Sequence, residues 1–296
     1  MNVVPLTVTP YLEAAARDVD ASLHRWLPGE DESAGRVAEA LRWSVLAPGK
    51  RFRPALVLAA CESVGGDRHA ALPAACAVEL VHAFSLIHDD LPAMDDDVLR
   101  RGRETSHVRF GEATAILAGD AAFALAFELL ARETADSTLL PALVRDLAEA
   151  AGTAGMIGGQ VLDLLSEGEA PDLARVQAIH ERKTAALIRA ACAMGARLGG
   201  ADALAVDRLR EFGARLGLAF QIKDDLLDLD GSPLDLGKPV RRDAARQKQT
   251  WPAAAGREGA AARLQELTES AVASVAAMDP HGRLAALAHL NASRGR

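Results

Sequence analysis

The sequence predicts an all-α protein, one large helical bundle around a central cavity, and three observations predict it. Apolar residues recur at three- and four-residue spacing through most of the chain. Alanine is abundant and alternating β-branched runs are absent, so no segment reads as a strand. Several long segments are apolar on more than one face, which requires other helices around them.

Taken in order, the first periodic segment covers residues 31–46 and stops at Pro48-Gly49. The second, 53–64, ends at Gly65-Gly66-Asp67. The third, 70–88, runs straight into a group of aspartates, and the chain then breaks at Arg101-Gly102-Arg103. Segments 112–133 and 139–165 follow, and 172–198 ends at Gly199-Gly200. Segment 203–229 stops before Gly231-Ser232-Pro233, and 260–278 is the last. No linker is long or biased enough to divide the chain, so residues 1–296 are expected to form a single domain. No internal repeat or low-complexity tract interrupts it.

Composition narrows the function. The chain is 50% hydrophobic, 25% charged and only 4% aromatic, which describes a core of aliphatic and small side chains. A net charge of −8 argues against nucleic acid or an anionic membrane as partner. No window reads as a membrane span, because the longest apolar stretch, near 113–131, contains Asp120 and Glu128. The first residues lack the basic and apolar regions of a signal peptide. Cys61, Cys76 and Cys192 are scattered, without CxxC spacing, and read as buried thiols in the cytoplasm. Only five of the 33 basic residues are lysines: Lys50, Lys183, Lys223, Lys238 and Lys248. In so arginine-rich a chain, each is a candidate for a site that needs a compact point charge, with compositional bias as the alternative.

The strongest local signal is His88-Asp89-Asp90-Leu91-Pro92-Ala93-Met94-Asp95-Asp96-Asp97, with five aspartates closing an apolar helix. Carboxylates at a helix C-terminus repel one another and oppose the macrodipole, and a bound cation removes both penalties. A solvated acidic turn is the alternative. A second cluster, Phe220 to Asp228, repeats the theme with Asp224, Asp225 and Asp228. Asp224 and Asp228 share a helix face that the apolar neighbours place toward a cavity. Two oxygen-rich clusters suit Mg²⁺, which takes one or two carboxylates and completes its shell with water and substrate phosphates. Cations accompany the aspartates: Lys50, Arg51 and Arg53 before one helix, Arg100 and Arg101 after the first cluster, then Lys183-Thr184 and Lys238.

From about Leu41 to Pro252 these residues resemble the trans-isoprenyl diphosphate synthase (polyprenyl synthetase) family. The likeness is greatest to bacterial farnesyl and geranylgeranyl diphosphate synthases. GKRFRP, HDDLPAMDDDVLRRG, GMIGGQVLDL, KTAALIRA and FQIKDDLLD stand in family order. The resemblance implies Mg²⁺-dependent head-to-tail condensation of isopentenyl diphosphate with an allylic diphosphate, in an enzyme expected to be a homodimer. It implies a first metal-binding motif of Asp89, Asp90 and Asp95 and a second of Asp224, Asp225 and Asp228, together holding three Mg²⁺. Asp96, at i+7 from Asp89, is the alternative third ligand if the helix continues undistorted, and Pro92 is expected to distort it. By the same resemblance Lys50, Arg53, His82 and Arg101 bind the diphosphate of isopentenyl diphosphate. Arg100, Lys183, Thr184, Gln221 and Lys238 surround the allylic diphosphate, and Gln160 and Asp163 line the same cavity. Asp89, Asp90, Asp95, Arg100, Lys183, Asp224 and Asp225 are the residues expected to carry catalysis.

Phe84 lies five residues before Asp89, about 7.5 Å further along the helix, with small Ser85 beside it. An aromatic there resembles the arrangement of a farnesyl (C15) synthase, with Phe84 as cavity floor. A C20 product and an ordinary core role for Phe84 are the alternatives. The sequence departs from the family at Pro48, Arg242 and Gln247, and its tail is only loosely similar, so Arg294 and Arg296 fall outside the expected site. A terpene cyclase is disfavoured by the second aspartate pattern and by GKRFRP. A regulatory subunit of a heteromeric synthase is disfavoured because both aspartate motifs are intact.

Overall fold

The computed structural model describes residues 8–29, 35–230 and 248–294. It is 77% helical, and the all-α expectation holds. The helices are α1 (Val8–Trp26), α2 (Gly35–Val45), α3 (Phe52–Ser63), α4 (Arg68–Asp89), α5 (Ser106–Phe110), α6 (Glu112–Glu133), α7 (Leu140–Ala151), α8 (Met156–Leu165), α9 (Leu173–His180), α10 (Ala186–Leu198), α11 (Ala203–Asp230), α12 (Trp251–Val275) and α13 (Arg283–Ser293). A π-helical turn, Glu181–Ala185, joins α9 to α10.

Helix α3 lies at the centre, in contact with α4, α10, α1 and α13. Every residue from Pro54 to Cys61 is buried. A fully buried leucine such as Leu56 or Leu58 contributes about 1.5–3 kcal/mol. Close packing needs small residues where backbones meet: a Cβ at Gly195 of α10 would lie 2.1 Å from the Val57 carbonyl oxygen of α3. The hydrophobicity of α4 and α6 has the same origin. Both are long and apolar enough to cross a membrane by composition, contrary to the expectation that no window would be. Here they pack against each other, and α6 turns Ala115, Ala118, Ala122, Ala126, Leu129 and Leu130 inward.

Three boundaries differ from the sequence pattern. The segment expected at 139–165 is two helices, separated where Gly152 and Gly155 end α7 and begin α8. The segment at 172–198 is interrupted by the π-turn, in which one extra residue widens the helix. That turn is flanked by two glycines on neighbouring helices. A Cβ at Gly159 of α8 would lie 2.3 Å from the Lys183 nitrogen, and one at Gly217 of α11 would lie 2.4 Å from the Ala185 Cα. Helix α12 starts nine residues before the segment expected at 260, because the Thr250 hydroxyl caps it through Ala253 N–H and Pro252 sits in its first turn.

The expectation of no strand is also corrected. Leu99–Arg100 (β1) pairs antiparallel with Arg103–Glu104 (β2) in a small hairpin. Its two turn residues, Arg101 and Gly102, both have positive φ (54° and 77°), as a tight two-residue hairpin turn demands. Trp43 of α2 fixes this hairpin. Its indole N–H donates to the Glu104 carbonyl at 3.0 Å, and the Arg103 and Arg109 guanidinium groups lie 3.6 and 3.9 Å from its ring centre.

Candidate active site

A cavity of about 1180 Å³ opens between α3, α4, α8, the π-turn, α11 and α13. Among the described residues it is lined by Lys50, Arg53, His82, Phe84, Ser85, Asp89, Asp95, Arg100, Arg101, Lys183, Thr184, Gln221, Asp224, Asp225 and Asp228. Lys238, Arg242 and Gln247 lie outside the described residues.

Helix α4 does not bend at Pro92; it ends at Asp89. The chain then loops back, with Asp95 N–H donating to the Asp89 carbonyl at 2.8 Å and Asp97 N–H to the Asp90 carbonyl at 3.1 Å. This loop turns Asp95 into the cavity and leaves Asp96 exposed with φ 50°. Asp90 is buried beside the cavity and does not line it. The Arg100 guanidinium holds its carboxylate at 2.6 Å and reaches Asp97 at 3.3 Å. Burial pushes both Asp89 and Asp90 above the ordinary carboxylate range. For Asp89, the neighbouring Lys183 and Arg100 do not reverse that shift.

Across the cavity, α11 presents the second cluster. Asp224 is paired with Arg294 at 2.9 Å. Asp225 accepts from the Trp251 N–H at 2.8 Å and from Gln221 Nε2 at 3.1 Å, and His180 Nε2 lies 3.3 Å from it. Burial pushes His180 down to about 3, so the ring is neutral. Thr184 donates to Gln221 Oε1 at 2.6 Å, joining the π-turn to α11.

The cations divide by what they hold. Arg51, although it belongs to the Lys50-Arg51-Phe52-Arg53 run, is buried and bonded to Asp20, Glu79 and the Val45 and Ala47 carbonyls. It ties α1, α2 and α4 together through four of its five N–H donors. Lys50, Arg51 and Arg53 all line the cavity, Arg51 as the one already engaged by the protein. Arg53 Nη1 lies 3.2 Å from His82 Nε2; since a guanidinium only donates, that nitrogen accepts and Nδ1 carries the proton. Burial, reinforced by Arg53 and Arg101, holds His82 well below its ordinary pKa and therefore neutral. Arg101 donates to the Pro48 carbonyl at 2.8 Å. Its guanidinium also fills the space a Cβ at Gly49 would take, 2.4 Å from Nη1. Lys183 bonds Asp163 at 2.6 Å. Burial works against the ammonium, but Asp163 and Asp89 outweigh it and raise the Lys183 pKa.

Two cations were left out of the expected diphosphate-binding set. Lys248 reaches Asp95 at 3.0 Å and Asp163 at 3.5 Å, bridging the first aspartate loop to α8. Its retention as one of five lysines was the available signal. Arg294, which the sequence placed outside the site, lines the cavity against Asp224 and lies 4.1 Å over the Phe220 ring.

The donor set suits magnesium: hard carboxylate oxygens on two sides of one cavity, with no thiolate among them. No three acidic, histidine or cysteine side chains converge on a point among the described residues. Magnesium needs only one or two carboxylates and draws its remaining ligands from water and phosphate. Asp89 makes no side-chain hydrogen bond or ion pair under 4 Å among the described residues, which leaves its oxygens open.

By fold and cavity, the protein falls in the class of all-α isoprenoid synthases. A sequence profile of the family "polyprenyl synthetase" matches residues 35–279, and the chain belongs to that family. It is 42% identical over 289 residues to a farnesyl diphosphate synthase of Geobacillus stearothermophilus, covering 96% of each chain. It is 43% identical over 275 residues to a chloroplastic geranylgeranyl pyrophosphate synthase (number 12) of Arabidopsis thaliana, covering 91% of this chain and 76% of that one. The solved FPP/GFPP synthase of Zymomonas mobilis superposes with a TM-score of 0.86 at 35% identity, over 97% of this chain and 99% of that chain. A geranyltransferase of Helicobacter pylori, solved with magnesium and isoprenyl diphosphate, gives 0.84 at 31% identity over 99% and 98%. The protein is therefore a trans-prenyltransferase, an enzyme of isoprenoid biosynthesis, and members of its family use Mg²⁺.

Proposed function

We propose that the protein condenses isopentenyl diphosphate with dimethylallyl and geranyl diphosphates to give farnesyl diphosphate. One observation carries the C15 assignment. Phe84 lines the cavity on the α4 face below Asp89, and the Phe123 ring stands behind it with centroids 5.1 Å apart. Two rings from α4 and α6, meeting edge to face, make a floor that a C15 chain reaches and a longer chain does not pass. Relatives of both C15 and C20 type are similar to this chain, so product length is the point to test.

In this reading Lys50, Arg53 and Arg101 hold the diphosphate of isopentenyl diphosphate, and neutral His82 orients Arg53 as its acceptor. Arg100, Lys183, Thr184, Gln221 and Lys238 hold the allylic diphosphate, and Lys248 joins them. Asp89, Asp90 and Asp95 on one side, and Asp224, Asp225 and Asp228 on the other, would hold three Mg²⁺. When bound, those ions neutralise the charge that builds on the leaving pyrophosphate. Asp90 would join this set by releasing Arg100, and Asp224 by releasing Arg294. The lysines and arginines add fixed positive charge at the same end, which favours ionisation of the allylic C–O bond. The double bond of isopentenyl diphosphate attacks the resulting cation, and the departing pyrophosphate accepts the proton lost afterwards. Phe84, Met156, Leu187 and Phe220 line the cavity and exclude water that would capture the cation.

We also infer a single domain spanning residues 1–296, supported by the family match over 35–279. A homodimer is supported by Ile116 and Leu117, exposed apolar residues on α6. A cytoplasmic location fits three buried, unbridged cysteines. The test is incubation of purified protein with Mg²⁺, labelled isopentenyl diphosphate and C5, C10 or C15 primers. A C15 alcohol after dephosphorylation supports the reading, a C20 alcohol replaces the floor argument, and no product from any primer overturns the function.

A further inference from the structure

Gln160 on α8 is 8% exposed and lines the cavity, and neither its Nε2 nor its Oε1 has a hydrogen-bond partner. A buried amide left unpaired is destabilising unless something arrives to meet it. Its depth in the cavity indicates what arrives. Asp163, three residues later on the same helix face, belongs to the charged end, where it holds Lys183 and Lys248. Met156, four residues earlier and also on that face, is apolar. Gln160 therefore sits at the boundary between the charged and hydrocarbon parts of the cavity. Thr184, with Lys183 before it and Leu187 three residues on, and Gln221, with Phe220 before it and Asp224 three residues on, occupy the same boundary, but they bond to each other. Among these three boundary side chains, Gln160 is the one whose polar atoms are unengaged.

An allylic diphosphate crosses that boundary at one place, the carbon bonded to the diphosphate oxygen. During condensation this C–O bond breaks and its electron pair leaves with pyrophosphate. The carbon is cationic until the isopentenyl double bond supplies the new C–C bond, and a proton then departs to pyrophosphate. We propose that Gln160 is a catalytic residue whose side-chain carbonyl faces this carbon and stabilises it as positive charge develops. The inference rests on the condensation proposed above. A fixed carbonyl dipole suits the task, because it favours the cation without the nucleophilicity of a carboxylate or of water, and it is already desolvated.

The test compares wild type with Gln160→Met, which keeps the length and removes the dipole. Turnover is measured, together with binding of two probes by calorimetry in Mg²⁺. One probe is an ammonium analogue with nitrogen in place of the cationic carbon, bound with inorganic pyrophosphate. The other is an unreactive allylic thiolodiphosphate. The expected result is a kcat lower by at least about 10-fold. Affinity for the ammonium analogue should fall by a similar factor, with thiolodiphosphate affinity unchanged. Equal weakening of both probes assigns Gln160 to packing and overturns the proposal, as does a kcat within about threefold of wild type. If Gln160→Met does not fold, Gln160→Asn withdraws the carbonyl by one methylene and is read by the same two probes. An inactive wild type would overturn the condensation and this inference together, whereas an active wild type with an unchanged variant overturns this inference alone.

Discussion

Phe84→Ala lengthens the product by one isoprene unit. The ring contacts His88 at 4.8 Å and Phe123 at 5.1 Å, and its loss opens the cavity toward Leu80 and Val81, which stand one turn further along α4. One turn is about 5.4 Å, close to the reach of the four-carbon backbone of one isoprene unit, so the chain grows from C15 to C20. Truncating a packed phenylalanine to alanine costs about 3–5 kcal/mol, so the folding control decides whether the product is read on a native variant. The rings continue behind Phe84, with Phe127 at 5.2 Å from Phe123. Phe84→Ala alone therefore stops at Phe123, and Phe84→Ala/Phe123→Ala extends the product further. Radiolabelled products are dephosphorylated and sized by chromatography, with circular dichroism as the folding control. A folded Phe84→Ala variant that still makes only the wild-type product would refute the floor and return Phe84 to ordinary packing.

Three further outcomes follow from the site. Asp89→Ala or Asp224→Ala lowers kcat at least about 100-fold, the scale of losing an electrostatic stabiliser, and near-normal turnover in either would contradict the metal assignment. Asp89→Asn raises the melting temperature of the metal-free protein at neutral pH while abolishing activity. Burial raises the Asp89 pKa in the folded state, so its charge is destabilising above that pKa. The wild type should therefore gain stability relative to Asp89→Asn as pH falls through the raised value, and a melting series in EDTA that finds a constant difference would be inconsistent with this. Trp43→Leu frees the hairpin that carries Arg100 and Arg101, so it should raise KM for isopentenyl diphosphate several-fold with a smaller effect on kcat; a loss of thermal stability with unchanged KM would make Trp43 merely structural.

Sequence pattern reached most long helices because they are buried on one or more sides. The apolar spacing of α4, α6 and α11 places their ends within a few residues of the observed ones. Helices α1 and α13 were not anticipated, although Val8, Leu12, Ala15, Val19 and Leu23 do follow a helical stripe. The hairpin was illegible because its strands are two residues each, with no alternating apolar run, and Arg101 adopts a conformation usually left to glycine. The π-turn leaves no side-chain period of its own. Its signature is the pair Gly159 and Gly217, which matters only once α8 and α11 are known to flank it.

The candidate site was legible where its residues form dense local clusters, as at 88–97 and 220–228. It was less so where single side chains arrive from afar. Lys248 meets Asp95 across 153 residues, and Arg294 comes from the last described turn. Local spacing also does not separate roles, since Arg51 lines the cavity between Lys50 and Arg53 yet commits most of its donors to Asp20, Glu79 and two carbonyls. The positive φ of Arg51, 46°, is a conformation uncommon outside glycine, and nothing in the sequence signals it.

The central claim is metal-dependent chain elongation in the α4–α11 cavity, and the most direct measurement is the primer assay with purified protein. Labelled isopentenyl diphosphate is supplied with geranyl diphosphate, with Mg²⁺ or with EDTA. The account predicts a C15 alcohol in Mg²⁺ and none in EDTA. Equal product in EDTA, or no product from any allylic primer in Mg²⁺, would contradict it.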